Sequence, residues 1–358
     1  MNISLTLLGS LNEHKGLIHT DFSLNNLGCI NSIKFDSTGV YCMTAGNDRT
    51  VRLWNPSKKL HIKKFFGPHN YEVNDVCLRE DNKNFVSVGA EHSAFLWDTL
   101  EAKIIRKYNH GGKICCCNYV WRNDLLVTGS EDKMVKVWDN RSKNPVQTFP
   151  DAKDTISCVD ERNSTISASS MDGHVRHYDL RKGVLKDDVF THSVISYVLF
   201  LTISLRFSMF TGVPDCYILA SLDDTIKLVD NGTVLASYRG QTYDNYKVNC
   251  VFDPFEKFII SGCSSGDILF WPINNTSESC EVLVESAHKG VITTLSFSNP
   301  ELLNSMGKLK KDVEKNVREL VLREDNLLVS GGRDGHLKIW NLSYNYLYSS
   351  IIHLDIEH

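Results

Sequence analysis

The stretch GSEDKMVKVWDNR, Gly129–Arg141, holds residue types that do chemistry: a glycine, the neighbouring acids Glu131 and Asp132, and a closing arginine. On its own it fits a phosphate-cradling loop or a pair of carboxylates sharing acid–base work. Upstream lie His110 and Thr128. With Asp132 they supply the hydroxyl, imidazole and carboxylate of a hydrolytic triad. A reactive site of this kind occurs once in a chain; a structural part can recur.

The pattern recurs. GNDRTVRLWN (46–55), GAEHSAFLWD (89–98), SMDGHVRHYD (170–179), SLDDTIKLVD (221–230), SSGDILFWP (264–272) and GRDGHLKIWN (332–341) repeat it, with the aromatic position at Trp54, Trp97, Trp138, Tyr178, Val229, Trp271 and Trp340. The intervals are 43, 41, 40, 51, 42 and 69 residues, so the fourth and sixth carry insertions. A period near 40 to 45 residues marks the four-stranded blades of a propeller. Within the third unit KICCCNYVW, DLLVTGS and MVKVWD read as strands separated by polar turns, and no helical period is sustained before residue 299. One such sheet cannot bury both faces; seven arranged in a ring can.

The chain therefore resembles a WD-repeat β-propeller. The expected fold is all-β, a seven-bladed ring with a helical insertion in the last blade. The resemblance implies a polar network of four residues in each complete blade: a histidine before the first strand, a hydroxyl in the next, a turn acid and the tryptophan. It falls on His69, Ser87, Glu91 and Trp97 in blade two, His110, Thr128, Asp132 and Trp138 in blade three, and His288, Ser330, Asp334 and Trp340 in blade seven. In blades two and three the histidine precedes the tryptophan by 28 residues, and in blades two, three, four and seven the acid precedes the aromatic by six. Buried imidazoles are stable when both ring nitrogens have partners. The triad likeness of blade three is thus read as structural. Blade one has Asn26 at the histidine position, blade four Pro150 and Ala168, blade five Leu219 and Val229, and blade six Ser265. These blades are expected to rely on apolar packing and to be softer.

A narrower resemblance rests on YCMTAGNDRTVRLWNP, YEVNDV, PVQTF, DGHVRHYDLRKG, SLDDTIKLVD, YRGQTYDNYKVNC and GDILFW, in order from about Leu17 to Ile273. These are similar to the mitogen-activated protein kinase organizer family, WD-repeat scaffolds also associated with spliceosomes. The resemblance implies a non-catalytic protein–protein scaffold for kinase-cascade or spliceosomal components, monomeric within larger complexes, cytoplasmic or nuclear, and using no cofactor. A competing reading comes from WDNR and YDLR on consecutive blades, where Arg141 and Arg181 match the Trp-Asp-x-Arg ending of substrate receptors for cullin-RING ubiquitin ligases.

Bulk properties agree with a binding protein. Thirty-nine basic and 43 acidic side chains give a net charge of −4, which provides no general attraction to nucleic acid or anionic membrane. The basic run Lys58–Lys64 reads as a solvated outer strand whose lysines discourage edge pairing. Eleven cysteines include no C-x-x-C pair and read as reduced core thiols. No metal cluster, P-loop or nucleophile elbow appears, so no enzyme, metal or small-molecule substrate is expected. Val194–Val213 is the one apolar stretch of spanning length, and Arg206 interrupts it.

The domain reading is an N-terminal extension (1–16), a ring (17–343) with insertions at about 198–213 and 299–325, and a tail or closing strand (344–358). Either Leu17–Phe22 or Tyr344–His353 could supply the last outer strand. Asn299–Asp325 predicts a helix: Pro300 suits its first position, and Leu302, Met306, Leu309, Val313, Val317 and Leu320 follow three- and four-residue steps. Repeat phase places Asn47, Glu72, Lys113, Glu131, Tyr243, Tyr246 and Arg333 around one end of the channel, as the expected protein-binding face.

Overall fold

The computed structural model describes residues 2–11, 28–120, 124–162, 164–189, 194–200, 216–230, 232–242, 247–253, 257–273, 281–298 and 327–345. They form seven four-stranded antiparallel sheets. In blade three the strands are Ile114–Val120, Leu125–Ser130, Val135–Asp139 and Gln147–Phe149, in that spatial order. The first strands are Ile30–Phe35, Val73–Leu78, Ile114–Val120, Ile156–Arg162, Ile195–Phe200, Cys250–Phe252 and Ile292–Phe297. Each packs against the first strand of the next blade, and the seventh packs against the first, which closes the ring.

Burial follows from position in the blade. Second strands such as Cys42–Gly46 and Leu327–Gly332 are buried on both faces, because neighbouring blades cover them. Outer strands are half exposed: in Leu60–Phe65 the burial alternates and only Phe65 is fully buried. That strand contains the basic run, and the Lys63 ammonium donates to the Thr99 and Leu100 carbonyls of blade two.

Two features repeat in all seven blades. The residue after the turn acid position has a left-handed backbone: Arg49, His92, Lys133, Gly173, Asp224, Gly266 and Gly335, with φ between 58° and 88°. The residue before it donates its N–H back toward the entry of the same blade: Asn47 to Cys29, Ala90 to Glu72, Glu131 to Lys113, Met171 to Thr155, Leu222 to Val194, Ser264 to Thr242 and Arg333 to Val291, at 2.8–3.3 Å. This bond brings each turn over the end of the inner strand, where the channel opens.

The termini close differently from either expected arrangement. The outer strand of blade seven is Asn2–Leu11, paired antiparallel with Leu337–Asn345 from Asn2↔Asn345 to Leu11↔Leu337. Residues 2–11 therefore belong to the ring and not to an extension, the ring does not begin at 17, and Tyr344 continues a strand instead of opening a tail. The physical reason is apolar: Leu5 packs on the cluster around Trp340 and Leu11 on the cluster around Ile30 and Ile339.

The insertion in blade five also begins later than expected. Val198, Leu199 and Phe200 belong to a regular strand that pairs with Cys216–Ser221, so the connection is 201–215, outside the described residues. The same strand accounts for the start of the apolar stretch at Val194. Among the described residues, no helix is long and apolar enough to cross a membrane. The segment expected to be helical, 299–325, lies outside the described residues.

Candidate functional site

The three complete polar sets come together with one geometry. His110 Nδ1 lies 3.0 Å from Asp132 Oδ2, its Nε2 lies 2.7 Å from Thr128 Oγ1, and Trp138 Nε1 donates to that hydroxyl at 2.8 Å. In blade two His69 lies 3.1 Å from Glu91 and 2.7 Å from Ser87, with Trp97 donating at 2.8 Å. In blade seven His288 lies 3.0 Å from Asp334 and 2.7 Å from Ser330, with Trp340 donating at 2.8 Å.

An indole N–H can only donate, so the hydroxyl accepts from tryptophan and keeps its own proton available for Nε2. An imidazole that accepts at Nε2 and donates from Nδ1 to the carboxylate satisfies every partner in the set. Burial pushes the His110 pKa down, with Asp132 pulling the other way. Burial opposes the charge on Asp132, but the His110 hydrogen bond and the Gly111 and Met134 N–H groups hold it well below the usual carboxylate range. Thr128, Ser87 and Ser330 are completely buried. A hydroxyl with no access and a tryptophan already bound to it cannot attack a substrate.

Where histidine is absent, an arginine takes over the acid. Arg52 Nη2 lies 3.0 Å from Asp48 in blade one, and Arg176 Nη2 lies 2.9 Å from Asp172 in blade four. Both pairs are buried. Blades one and four were expected to hold by apolar packing more than by the polar network; the arginine partner of each turn acid was missed, although its signal was present in DRTVR and DGHVR, whose arginine stands four residues after the acid. Blade six shifts its acid to Asp267, which accepts from Ser265 at 2.5 Å, while Trp271 donates to the Arg239 carbonyl. Blade five packs Leu219 and Val229 into the largest apolar cluster.

Blade four also holds a polar set outside the repeat pattern. Ser167 Oγ lies 2.6 Å from His177 Nδ1, His177 Nε2 lies 3.2 Å from Asp188, and the Tyr217 hydroxyl of blade five donates to Asp188 at 2.9 Å. Ser167 is fully buried. This set joins two blades.

The accessible site is the mouth of the channel. A cavity of about 550 Å³ is lined by Asn31, Asn47, Glu72, Asn74, Lys113, Ser157, Met171, Val194, Leu222, Lys247 and Arg333, among others. Of the residues expected on this face, Asn47, Glu72, Lys113 and Arg333 line it. Glu131 stands on an adjoining turn, outside the lining, and Tyr243 and Tyr246 lie outside the described residues. Lys113 and Glu72 form an ion pair at 2.9 Å. Lys247 reaches across the ring, donating to the Ser157 carbonyl of blade four at 2.6 Å. It lies deep within the ring, yet water reaches its side chain through the cavity. A smaller cavity of about 60 Å³ lies further in, lined by Lys34, Asp75, Asp160 and Lys247 among others.

The walls of the mouth are tied between blades. Asn31 donates to the Val73 carbonyl at 2.8 Å, Asn74 to Ile114 at 2.6 Å, and Ser157 to Ile195 at 2.7 Å; Thr293 donates to Ile30, joining blade seven to blade one. Met171 and Leu222 were missed, although they hold the same repeat position as Asn47, Glu131 and Arg333. Lys247 was missed too, although YKVN places it at the repeat position that Glu72 holds in YEVN; its contact with Ser157 exists only when the ring is closed. Arg141 and Arg181 are exposed at the opposite end, where their N–H groups are held by Asp139 and Asp179 at 2.8 and 2.7 Å.

A family profile described as "WD domain, G-beta repeat" matches residues 7–55, 102–139, 143–179, 232–272 and 314–341. The chain belongs to the WD-repeat family. A Dictyostelium discoideum relative, WD repeat domain-containing protein 83 homolog, is 29% identical over 303 residues, covering 75% of this chain and 88% of that protein. The Rattus norvegicus WD repeat domain-containing protein 83 is 31% identical over 287 residues, covering 78% of this chain and 86% of the rat protein. Pre-mRNA-splicing factor cwf17 of Schizosaccharomyces pombe is 26% identical over 151 residues, covering 41% of this chain and 44% of that protein. In this WD-repeat ring the conserved-looking acids and histidines hold turns shut.

Proposed function

We propose that this WD-repeat protein is a scaffold of the organizer type, assembling signalling-module or pre-mRNA splicing components in the cytoplasm or nucleus. The observation that carries the reading is the mouth: an accessible cavity with Glu72, Lys113, Lys247 and Arg333 from blades two, three, six and seven, and Met171, Val194 and Leu222 from blades four and five. Rigid walls carrying variable turn residues suit the holding of other proteins. The relatives named WD repeat domain-containing protein 83, and the one named a splicing factor, support the scaffold reading and its splicing arm. The expected helix over 299–325 is a second candidate docking element.

Affinity purification of the tagged full chain with mass spectrometry tests this. Splicing or kinase-module proteins are expected with the wild type, and their recovery is expected to fall sharply with the Met171→Asp/Leu222→Asp variant, checked for an unchanged melt. Recovery of the ubiquitin ligase's damage-binding adaptor in their place, lost on Arg141→Ala and Arg181→Ala, overturns the proposal in favour of a substrate receptor. Deleting 300–322 with every partner retained removes the helix from the interaction.

A further inference from the structure

The mouth is cationic in a chain that is acidic overall. Its lining holds Lys113, Lys247 and Arg333 against a single carboxylate, Glu72, whereas the whole chain carries −4. Glu72 is already matched by Lys113 at 2.9 Å. Deeper in the ring the lining adds only Lys34 to the shared Lys247, against Asp75 and Asp160. A negative group entering from outside therefore meets net positive charge at the mouth and added negative charge beyond it.

Lys247 is the centre of this field. An ammonium has three donors, and among the described residues the Lys247 ammonium has one hydrogen-bond partner, the Ser157 carbonyl. Nearby, Asn47 and Asn31 are bonded to each other at 2.8 Å and present amides to the same space. The blade-four and blade-five wall is different in kind. Met171 is 42% exposed, and Leu222 and Val194 stand beside it in the lining. A ligand that fits presents a negative group to the cations and apolar groups to Met171 and Leu222.

We infer that the mouth takes an extended acidic segment of a partner protein, with a carboxylate against Lys247 and neighbouring apolar side chains on Met171 and Leu222. This rests on the mouth being the protein-binding face, and it adds the chemistry of the partner. The segment is peptide because a single-stranded nucleic acid would find no aromatic stacking platform among the described lining residues.

The test uses the full chain and a fluorescein-labelled peptide of alternating leucine and glutamate, with the glutamine-for-glutamate peptide as control, read by fluorescence anisotropy. The acidic peptide is expected to bind about tenfold or more tightly than the amide control, a difference of about 1.4 kcal/mol, and to weaken as salt is raised. Lys247→Gln is expected to remove most of that preference, and Met171→Asp to weaken both peptides. Arg333→Gln serves as a second charge variant should Lys247→Gln lower the melting temperature. Equal binding of the two peptides, or a preference untouched by both charge variants, overturns the inference. So does a uridine oligonucleotide that displaces the peptide and binds as tightly. If Met171→Asp/Leu222→Asp abolishes partner recovery from cells while the peptide preference is absent, the mouth keeps its role and only the acidic specificity falls. If neither responds, the interaction face itself lies elsewhere.

Discussion

Arg176 Nη2 lies 2.9 Å from Asp172 Oδ2, with the two side chains 4% and 10% exposed, in a blade that has no histidine for its turn acid. The guanidinium fills the role that imidazole plays in blade three. Burial opposes the charge on Asp172, and the Arg176 hydrogen bonds overcome it and hold the carboxyl below its ordinary value. Replacing Arg176 by Ala leaves a partly buried carboxylate with only backbone donors such as Lys153 and His174 N–H. Breaking such a pair costs up to about 3 kcal/mol. Chemical denaturation should show that loss for Arg176→Ala, and a smaller one for the Arg176→Met/Asp172→Ala pair. Equal losses would mean that the charge pairing is irrelevant.

The neutral imidazole of His110 makes a pH prediction with a definite sign. Its folded pKa is lowered by burial. Below the unfolded value of about 6.5 the unfolded chain therefore binds a proton that the folded chain refuses. That contribution is complete above about 6.5 and is lost as pH falls from there through the folded pKa. Asp132, also lowered, contributes fully above about 3.9 and loses its share below that. The melting temperature at pH 5.5 should thus lie below that at pH 7.5. His110→Gln should melt lower at pH 7.5, by about 1–3 kcal/mol of lost hydrogen bonding, and show a flatter profile between the two. An identical slope in the variant would remove His110 from the titration.

Pairing of Asn2–Leu11 with Leu337–Asn345 joins the two ends of the ring. Deleting residues 2–11 uncovers the edge of the last blade and the Trp340 cluster that Leu5 packs against. A loss of ~3 kcal/mol or more is expected, on the order of 5 °C or more in melting temperature for a domain this large. Hydrogen exchange should rise first in 337–345. Unchanged protection there would show that another segment closes the ring.

Lys133 has φ 68°, a conformation that costs an L-residue about 1–2 kcal/mol. Glycine already fills the matching position in blades four, six and seven. Lys133→Gly removes the strain and adds roughly 0.5–1 kcal/mol of unfolded-state entropy. The net expectation is a gain of up to ~1 kcal/mol in denaturant unfolding. A loss would show that the Lys133 side chain holds the turn.

The period of the aromatic position, the strand alternation and the matched His–hydroxyl–acid spacings determined the blades by themselves, because blades one to six are each local: hairpins and turns bond residues within some 30 positions of one another. The turn acids of blades one and four were equally local, and their arginine partners could have been read from the D-x-x-x-R spacing. What only the closed ring decided are the contacts between distant segments. Leu5 and Leu11 meet Trp340 and Ile339 because the circle must end where it began. Lys247 reaches Ser157, 90 residues away, because seven inner strands converge on one axis. No local pattern encodes that convergence, and it is what turns separate turn residues into a mouth that sets cations beside apolar side chains.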